Sequence, residues 1–293
     1  MITNDYFENI DIGIVQTTLD YSLAWQSVSE KVQISKEQEE IAWYEICKAF
    51  RSFNDNEKKP DVVLFPELSI PRPRLHEFAQ IVCNMNIIAI AGIDYYSDDL
   101  SKEVINEGLI IIPKNYSKSK ASYSYSQFTF GKTFASPREN EKLKKNGWKF
   151  VGDENVYIFD CLGYGKIGIS ICYDFMDVER ALMYRGRLQH LLVIAYNRDV
   201  STFISLAESF SRIIFCNVVI CNTGYYGGSV AVSPYNEEYR RTVFSTNGQK
   251  TFISQVISLP VKELVIAQKK EYEIIRNERG LFKDPPPGFL FSI

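Results

Sequence analysis

Lys166-Ile-Gly-Ile-Ser-Ile-Cys172-Tyr-Asp174 is an apolar strand pattern that stops abruptly at a thiol and turns polar. A buried strand that breaks sharply toward a helix holds a nucleophile at the rim of a sheet, beside a backbone N–H suited to a developing oxyanion. The stretch therefore predicts a sheet-based fold and makes Cys172 the candidate nucleophile of a thiol enzyme.

Working outward, short apolar runs of the same character recur at 12–15, 62–65, 87–93, 109–112, 156–159, 191–195 and 218–220. Each reads as a buried strand. Between several of them lie helical faces, one marked by Trp43, Ile46, Phe50 and Phe53, another by Leu75, Phe78, Ala79, Val82 and Met85. Two further helices are predicted at 178–186 and 202–216. The runs at 156–159 and 167–171, joined through Leu162-Gly-Tyr-Gly, read as a hairpin beside the parallel units, so an α/β fold with mixed sheets covered by helices is expected. No repeat or mid-chain linker divides the sequence, and residues 1–293 are expected to form a single domain with an extended tail from about 282, around Asp284-Pro-Pro-Pro-Gly.

The segment 115–150 is less regular, with Tyr/Ser alternation at 121–126 and a charged run at 138–149. It reads either as an active-site excursion or as a strand followed by a solvated helix. For Lys142, Lys144, Lys145 and Lys149 the solvated helix is preferred to a nucleic-acid patch, since no aromatic platform is interleaved with them.

Composition narrows the function. The 293 residues are 45% hydrophobic and 24% charged with a net charge of -3 and no dominant basic tract, which favours a small-molecule substrate over nucleic acid or an anionic membrane. The N-terminal Met-Ile-Thr-Asn-Asp-Tyr-Phe-Glu lacks the features of a signal peptide and no apolar run is long enough to span a bilayer, so a cytoplasmic protein is expected. Cys47, Cys83, Cys161, Cys172, Cys216 and Cys221 contain no CxxC and are expected to be reduced. The two histidines, His76 and His190, argue against a zinc site or a Cys-His dyad, leaving a carboxylate to activate the thiol, with no metal or organic cofactor.

Three segments place a reactive side chain at the end of an apolar strand: Asp61-Val-Val-Leu-Phe-Pro-Glu67, Phe130-Gly-Lys132-Thr-Phe-Ala-Ser-Pro-Arg-Glu139, and Ile169-Ser-Ile-Cys172-Tyr-Asp174. Singly, each has a plainer explanation: a buried small hydrophobe, a helix cap, a surface lysine. Together they do not, because core packing supplies no reason for a charged residue at such strand ends.

The combination resembles the carbon-nitrogen hydrolase (nitrilase) superfamily, and the likeness runs over nearly the whole chain. Residues 12–16, ending in Gln16, are similar to its first strand; Phe65-Pro-Glu67 to the segment of its general base; Asn106 and 109–113 to the strand before its lysine; and Gly227-Gly-Ser229 to a strand nearer its C-terminus. Glu179 stands where a glutamate often follows the nucleophile. Phe175-Met-Asp-Val178 departs from the Arg-Pro usual there, and the segment after Lys132 lacks the common His-Leu, so the pocket wall differs.

The resemblance implies an α-β-β-α sandwich, a homodimer or higher homo-oligomer, and a catalytic set of Glu67, Lys132 and Cys172 supported by Glu139 and the Tyr173 backbone N–H. Tyr196, Asn197 and Arg198, following the strand after the nucleophile, are candidate substrate-binding residues, with Arg198 suited to a carboxylate. The expected activity is an amidase or carbamoylase cleaving a non-peptide C–N bond through a thioester. A catalytically silent binding or assembly module of the same fold, and a thioester-forming N-acyltransferase, stay open as alternatives.

Overall fold

Alternation with a period of two decides how the layers stack. The computed structural model describes residues 6–26, 28, 31–116, 123–269 and 280–291, so most of the N-terminal octapeptide, residues 121–122 of the Tyr/Ser alternation and the last two residues of the tail lie outside the described residues. One six-stranded sheet contains, in spatial order, β15 (Ile253–Pro260), β1 (Asn9–Gln16), β2 (Val62–Ile70), β3 (Ile88–Ile93), β6 (Glu107–Pro113) and β7 (Tyr125–Gly131). The other contains β14 (Thr242–Ser245), β13 (Val230–Val232), β12 (Asn217–Asn222), β11 (His190–Ala195), β10 (Gly165–Ile171) and β9 (Ile158–Cys161). Both are mixed, with a parallel core of β1-β2-β3 or β10-β11-β12 flanked by antiparallel strands. A small third sheet joins β4 (Tyr96–Asp98), β5 (Glu103–Ile105) and β8 (Lys149–Phe150).

Ile10, Ile12, Ile14, Val62, Leu64, Ile88, Ile90 and Ile110 point into the space between the large sheets and pack with residues of β10, β11 and β12. Their sequence neighbours Val63, Phe65, Ala89, Ala91, Leu109 and Ile111 face the other way, onto Ile46, Phe50 and Phe53 of α2 (Lys36–Asp55) and Phe78 and Val82 of α3 (Leu75–Met85). On the far side, α5 (Val178–Tyr184) and α6 (Val200–Phe210) lay Ala181, Tyr184, Phe203 and Ala207 against the second sheet. Fully burying one such aliphatic or aromatic side chain stabilises by about 1.5–3 kcal/mol, which is why strands apolar on both faces settle inside this α-β-β-α sandwich. The other helices, α1 (Tyr21–Ala24), α4 (Pro137–Lys145), α7 (Glu238–Arg241) and α8 (Lys262–Gln268), sit in the connections.

Three expectations need adjustment. The predicted helix at 202–216 ends as an α-helix at Phe210; residues 211–215 form a wider π turn closed by the Cys216 N–H donating to the Ser211 carbonyl, and Phe215 takes a φ of 62°. The hairpin strand expected at 156–159 starts at Ile158. The tail from 282 is tied down by Phe282 and Phe289, buried with Phe215, Leu264 and Ala267. Among the described residues no helix is long and apolar enough to cross a membrane.

Candidate active site

Cys172 stands where β10 ends, with a φ of 46°, a left-handed conformation unfavourable for a residue with a Cβ and persisting only where surroundings enforce it. The enforcing contacts are visible. The chain turns at once into a short 3-10 helix, Cys172–Met176, and Asp177 then caps α5 by accepting from the Glu179 N–H. The Asp174 carboxylate accepts from the backbone N–H groups of Thr133 at 2.9 Å and Phe134 at 2.8 Å, and Arg180 stands 3.7 Å from it while donating to the Thr133 hydroxyl. One aspartate thus fastens the nucleophile turn to the loop that follows Lys132.

Glu67 is presented by a bulge. The β2-β3 register shifts between Phe65 and Ile70, and Leu68 within it has a φ of 58°. The displaced backbone lies on β3 at Gly92, where a Cβ would sit 2.4 Å from the Glu67 Cα and 2.6 Å from the Leu68 nitrogen. Only glycine fits there, which gives that residue a role in aiming Glu67.

Lys132 follows β7, its backbone N–H donating to the Asn106 carbonyl at 2.8 Å. Its Nζ donates to Glu67 Oε1 at 2.8 Å and to Glu139 Oε2 at 2.6 Å, with the lysine side chain only 2% exposed. Asn106 Nδ2 bridges the same carboxylates, donating to Glu67 Oε1 at 2.8 Å and Glu139 Oε1 at 2.9 Å, and the Tyr95 hydroxyl donates to Glu139 Oε1 at 2.8 Å. Glu67 Oε2 accepts from the Tyr196 backbone N–H at 2.9 Å. Glu139 is held twice, since it also closes a capping box with Ser136 at the start of α4.

Two carboxylates around one ammonium set the electrostatics. Burial opposes the Lys132 charge, but Glu139 and Glu67 overcome it and hold the ammonium well above the usual lysine range. Burial pushes Glu139 up, yet the Lys132 charge with the hydrogen bonds from Lys132, Asn106 and Tyr95 brings it below its ordinary value. Cys172 goes the other way: burial and the Glu67 charge push its thiol well up against the pull of Lys132. At rest the thiol is therefore neutral, and it stands beside Glu67. Among the described residues no group of three His, Cys, Asp or Glu side chains is placed to hold a metal.

These groups form one end of a cavity of about 830 Å³, which Tyr173, Tyr196, Asn197 and Arg198 also line. The Tyr196 hydroxyl is spent on the Leu19 carbonyl and the Tyr21 N–H, and Asn197 bonds Asp199 and Asn222, so these two side chains shape the wall. Arg198 is exposed at the rim, with no ion pair among the described residues. Glu179 is exposed at the first turn of α5; the buried charge there is Arg180. Gln16 and Ser229 meet away from the thiol, the Ser229 N–H donating to Gln16 Oε1 at 3.2 Å. Of the four lysines read as a solvated helix, Lys144 and Lys145 are exposed on α4 and Lys149 is exposed but belongs to β8, whereas Lys142 is half-buried in the cavity wall with its ammonium 4.2 Å from the centre of the Tyr21 ring. Asp174 as a tether and Tyr95 and Asn106 as carboxylate partners are functional contacts that sequence reasoning missed. The pattern Ser136-Pro-Arg-Glu139 is a readable cap signal for α4.

Sheet order and layer order are those of solved structures of the carbon-nitrogen hydrolase (nitrilase) superfamily, and this chain has that fold. An amidase double mutant from Nesterenkonia sp. AN1 in complex with acrylamide superposes with a TM-score of 0.59 at 14% identity, over 92% of this chain and 97% of that one. A CN-hydrolase superfamily protein from Xanthomonas campestris with an arsenic adduct in its active site gives 0.60 at 11% identity, over 94% and 100%. Nit3 of Saccharomyces cerevisiae, a member of branch 10 of the nitrilase superfamily, gives 0.58 at 17%, over 94% and 97%. No family model matches the sequence. No curated protein matches it either.

Proposed function

We propose that the protein is a thiol amidohydrolase that cleaves the C–N bond of a small amide or N-carbamoyl compound through a thioester on Cys172. The observation that carries this reading is the meeting of Glu67, Lys132 and Cys172 in one cavity, with the ammonium hydrogen-bonded to the glutamate at 2.8 Å and both charges close enough to the thiol to act on its acidity. A mutant of the Nesterenkonia amidase with the acetamide moiety of fluoroacetamide added covalently at its active-site cysteine supports thiol attack on this fold.

The thiol is too weak an acid to ionise on its own near neutrality, so its proton passes to Glu67 as sulfur attacks the carbonyl carbon. The oxyanion that forms takes hydrogen bonds from the Lys132 ammonium and the Tyr173 backbone N–H. Glu67 then returns the proton to the leaving nitrogen as the C–N bond breaks, giving the thioester. A water molecule enters, Glu67 takes its proton, the hydroxide attacks the thioester carbon, and the departing sulfur recovers the proton as thiol. Glu139 keeps Lys132 charged and fixed throughout.

In this reading the chain acts as one domain, in the reducing cytoplasm, with Tyr196 and Asn197 as cavity wall and Arg198 at its mouth. It acts as a homodimer, joined through α5 beside the nucleophile turn, whose Val178, Leu182 and Met183 are 64%, 58% and 48% exposed.

The test is ammonia release across aliphatic amides, ω-amides and N-carbamoyl amino acids. Turnover of at least one, abolished by Cys172→Ala, is expected; turnover that survives the substitution rejects the mechanism, and product formed only when an amine acceptor is supplied makes the protein an acyltransferase instead.

A further inference from the structure

Helix α4 contributes to the cavity twice. Glu139 joins the Lys132 cluster, and Lys142, three residues on and so on the same helix face, lines the cavity roughly 4.5 Å further along the axis. The Lys142 ammonium stacks on the Tyr21 ring, and the Tyr21 hydroxyl lies near that of Tyr95, the residue that donates to Glu139. An unbroken series of contacts therefore links this second cation to the catalytic cluster.

Unlike Lys132, Lys142 has no carboxylate within 4 Å among the described residues. The anions that share the cavity are engaged elsewhere: Glu141 with Lys145 at 2.8 Å, Asp20 with Ser22 and Tyr225, and Asp199 with the N-terminus of α6. Burial lowers the Lys142 pKa, and no counter-charge offsets it. An ammonium held half out of water by an aromatic face alone is short of hydrogen-bond acceptors, and the space it faces is where a ligand enters.

We propose that Lys142 is a specificity-determining residue that binds a carboxylate on the substrate, so that the substrate class is a small amide or N-carbamoyl compound with a carboxylate beyond the scissile carbonyl. The carbonyl lies at Cys172 and the carboxylate at Lys142, which fixes the orientation of an otherwise featureless acyl chain. The inference rests on the amidohydrolase reading for the position of the carbonyl, and on the cavity wall alone for the position of the anion.

The experiment uses full-length Cys172→Ala protein, which cannot consume its ligand. Calorimetry compares malonamate, succinamate, glutaramate, adipamate and N-carbamoyl-β-alanine with uncharged amides of the same length. At least one carboxylated compound is expected to bind about tenfold or more tightly than its uncharged counterpart. That preference falls to near unity in Lys142→Met and Lys142→Gln, is largely kept in Lys142→Arg, and is unchanged in Lys144→Met, whose cation lies outside the cavity. A preference absent at every length, surviving Lys142→Met, or erased by Arg198→Met instead overturns the assignment. Ammonia-release assays with the intact thiol separate the two readings. A Lys142-dependent preference without turnover of any compound sinks hydrolysis and leaves the carboxylate site standing, whereas equal turnover of charged and uncharged amides does the reverse.

Discussion

Cys172 and Lys132 are each pushed well away from neutrality's reach, the thiol toward staying protonated and the ammonium toward staying charged. A thiol in that state depends on a neighbouring base, so Glu67→Gln is expected to lower kcat by about 100- to 10,000-fold, measured as ammonia release on the best amide found. Lys132→Met removes an oxyanion donor, typically a loss of about 100- to 1000-fold. It also leaves Glu67 and Glu139 buried together without their cation, so a lowered Tm is expected alongside the lost rate, whereas Cys172→Ala lowers the rate alone. A Lys132→Met protein that melts like the parent sinks the view that the ion cluster holds the site together.

At the scale of the element, the bulge in β2 works only because β3 yields space at Gly92. In Gly92→Ala the new methyl meets the backbone of Glu67 and Leu68. Overpacking of this kind costs about 1–3 kcal/mol, and here the strain is relieved by moving the carboxylate, so activity should fall by more than the stability change accounts for. Equal kcat in the two proteins, at matched folded fraction, contradicts that role. On α5, Leu182→Glu places a charge in the exposed apolar row and is expected to shift the protein from dimer to monomer in sedimentation velocity; a parent that sediments as a monomer removes the dimer from the proposal.

Which elements were legible follows from how each is stabilised. Strands 62–65, 167–171 and 191–195 are apolar in themselves and buried on both faces, so their burial is written locally. β15 has the mixed pattern Ile-Ser-Gln-Val-Ile-Ser-Leu-Pro and is half exposed at a sheet edge, where only its pairing with β1 makes it a strand. The π turn at 211–215 brings Phe215 onto Phe289 of the tail, 5.5 Å between ring centres, a tertiary contact that no helical periodicity reveals. Glu67, Lys132 and Cys172 stood out as polar groups at the ends of apolar runs. Asn106 and Tyr95 did not, because an amide or a phenol beside a strand is unremarkable until the partner is known, and Lys142 in a charged helix looks the same whether it meets water or Tyr21.

At the scale of the whole molecule, stability should respond to acid through His190, which starts β11 and is fully buried. Burial lowers its pKa from 6.5 to about 4, so the unfolded chain binds the proton first. Its contribution is complete above 6.5 and is lost as the pH falls toward 4, at about 1.4 kcal/mol per pH unit. Asp94 runs oppositely: burial raises it from 3.8 to about 6, so its proton favours the folded state and that gain fades as the pH rises through the same window. Denaturant titrations of His190→Gln and the parent between pH 4 and 6.5 should differ in slope by the His190 amount; identical slopes reject it.

The tether formed by Asp174 has a kinetic corollary. Because a carboxylate carried on the nucleophile turn grips the backbone of the loop after Lys132, neither half of the machinery can loosen by itself, and partial melting of the catalytic floor is not an available intermediate. Heat inactivation should therefore track loss of the near-ultraviolet dichroism degree for degree, and Asp174→Asn should open a gap of several degrees between the two curves.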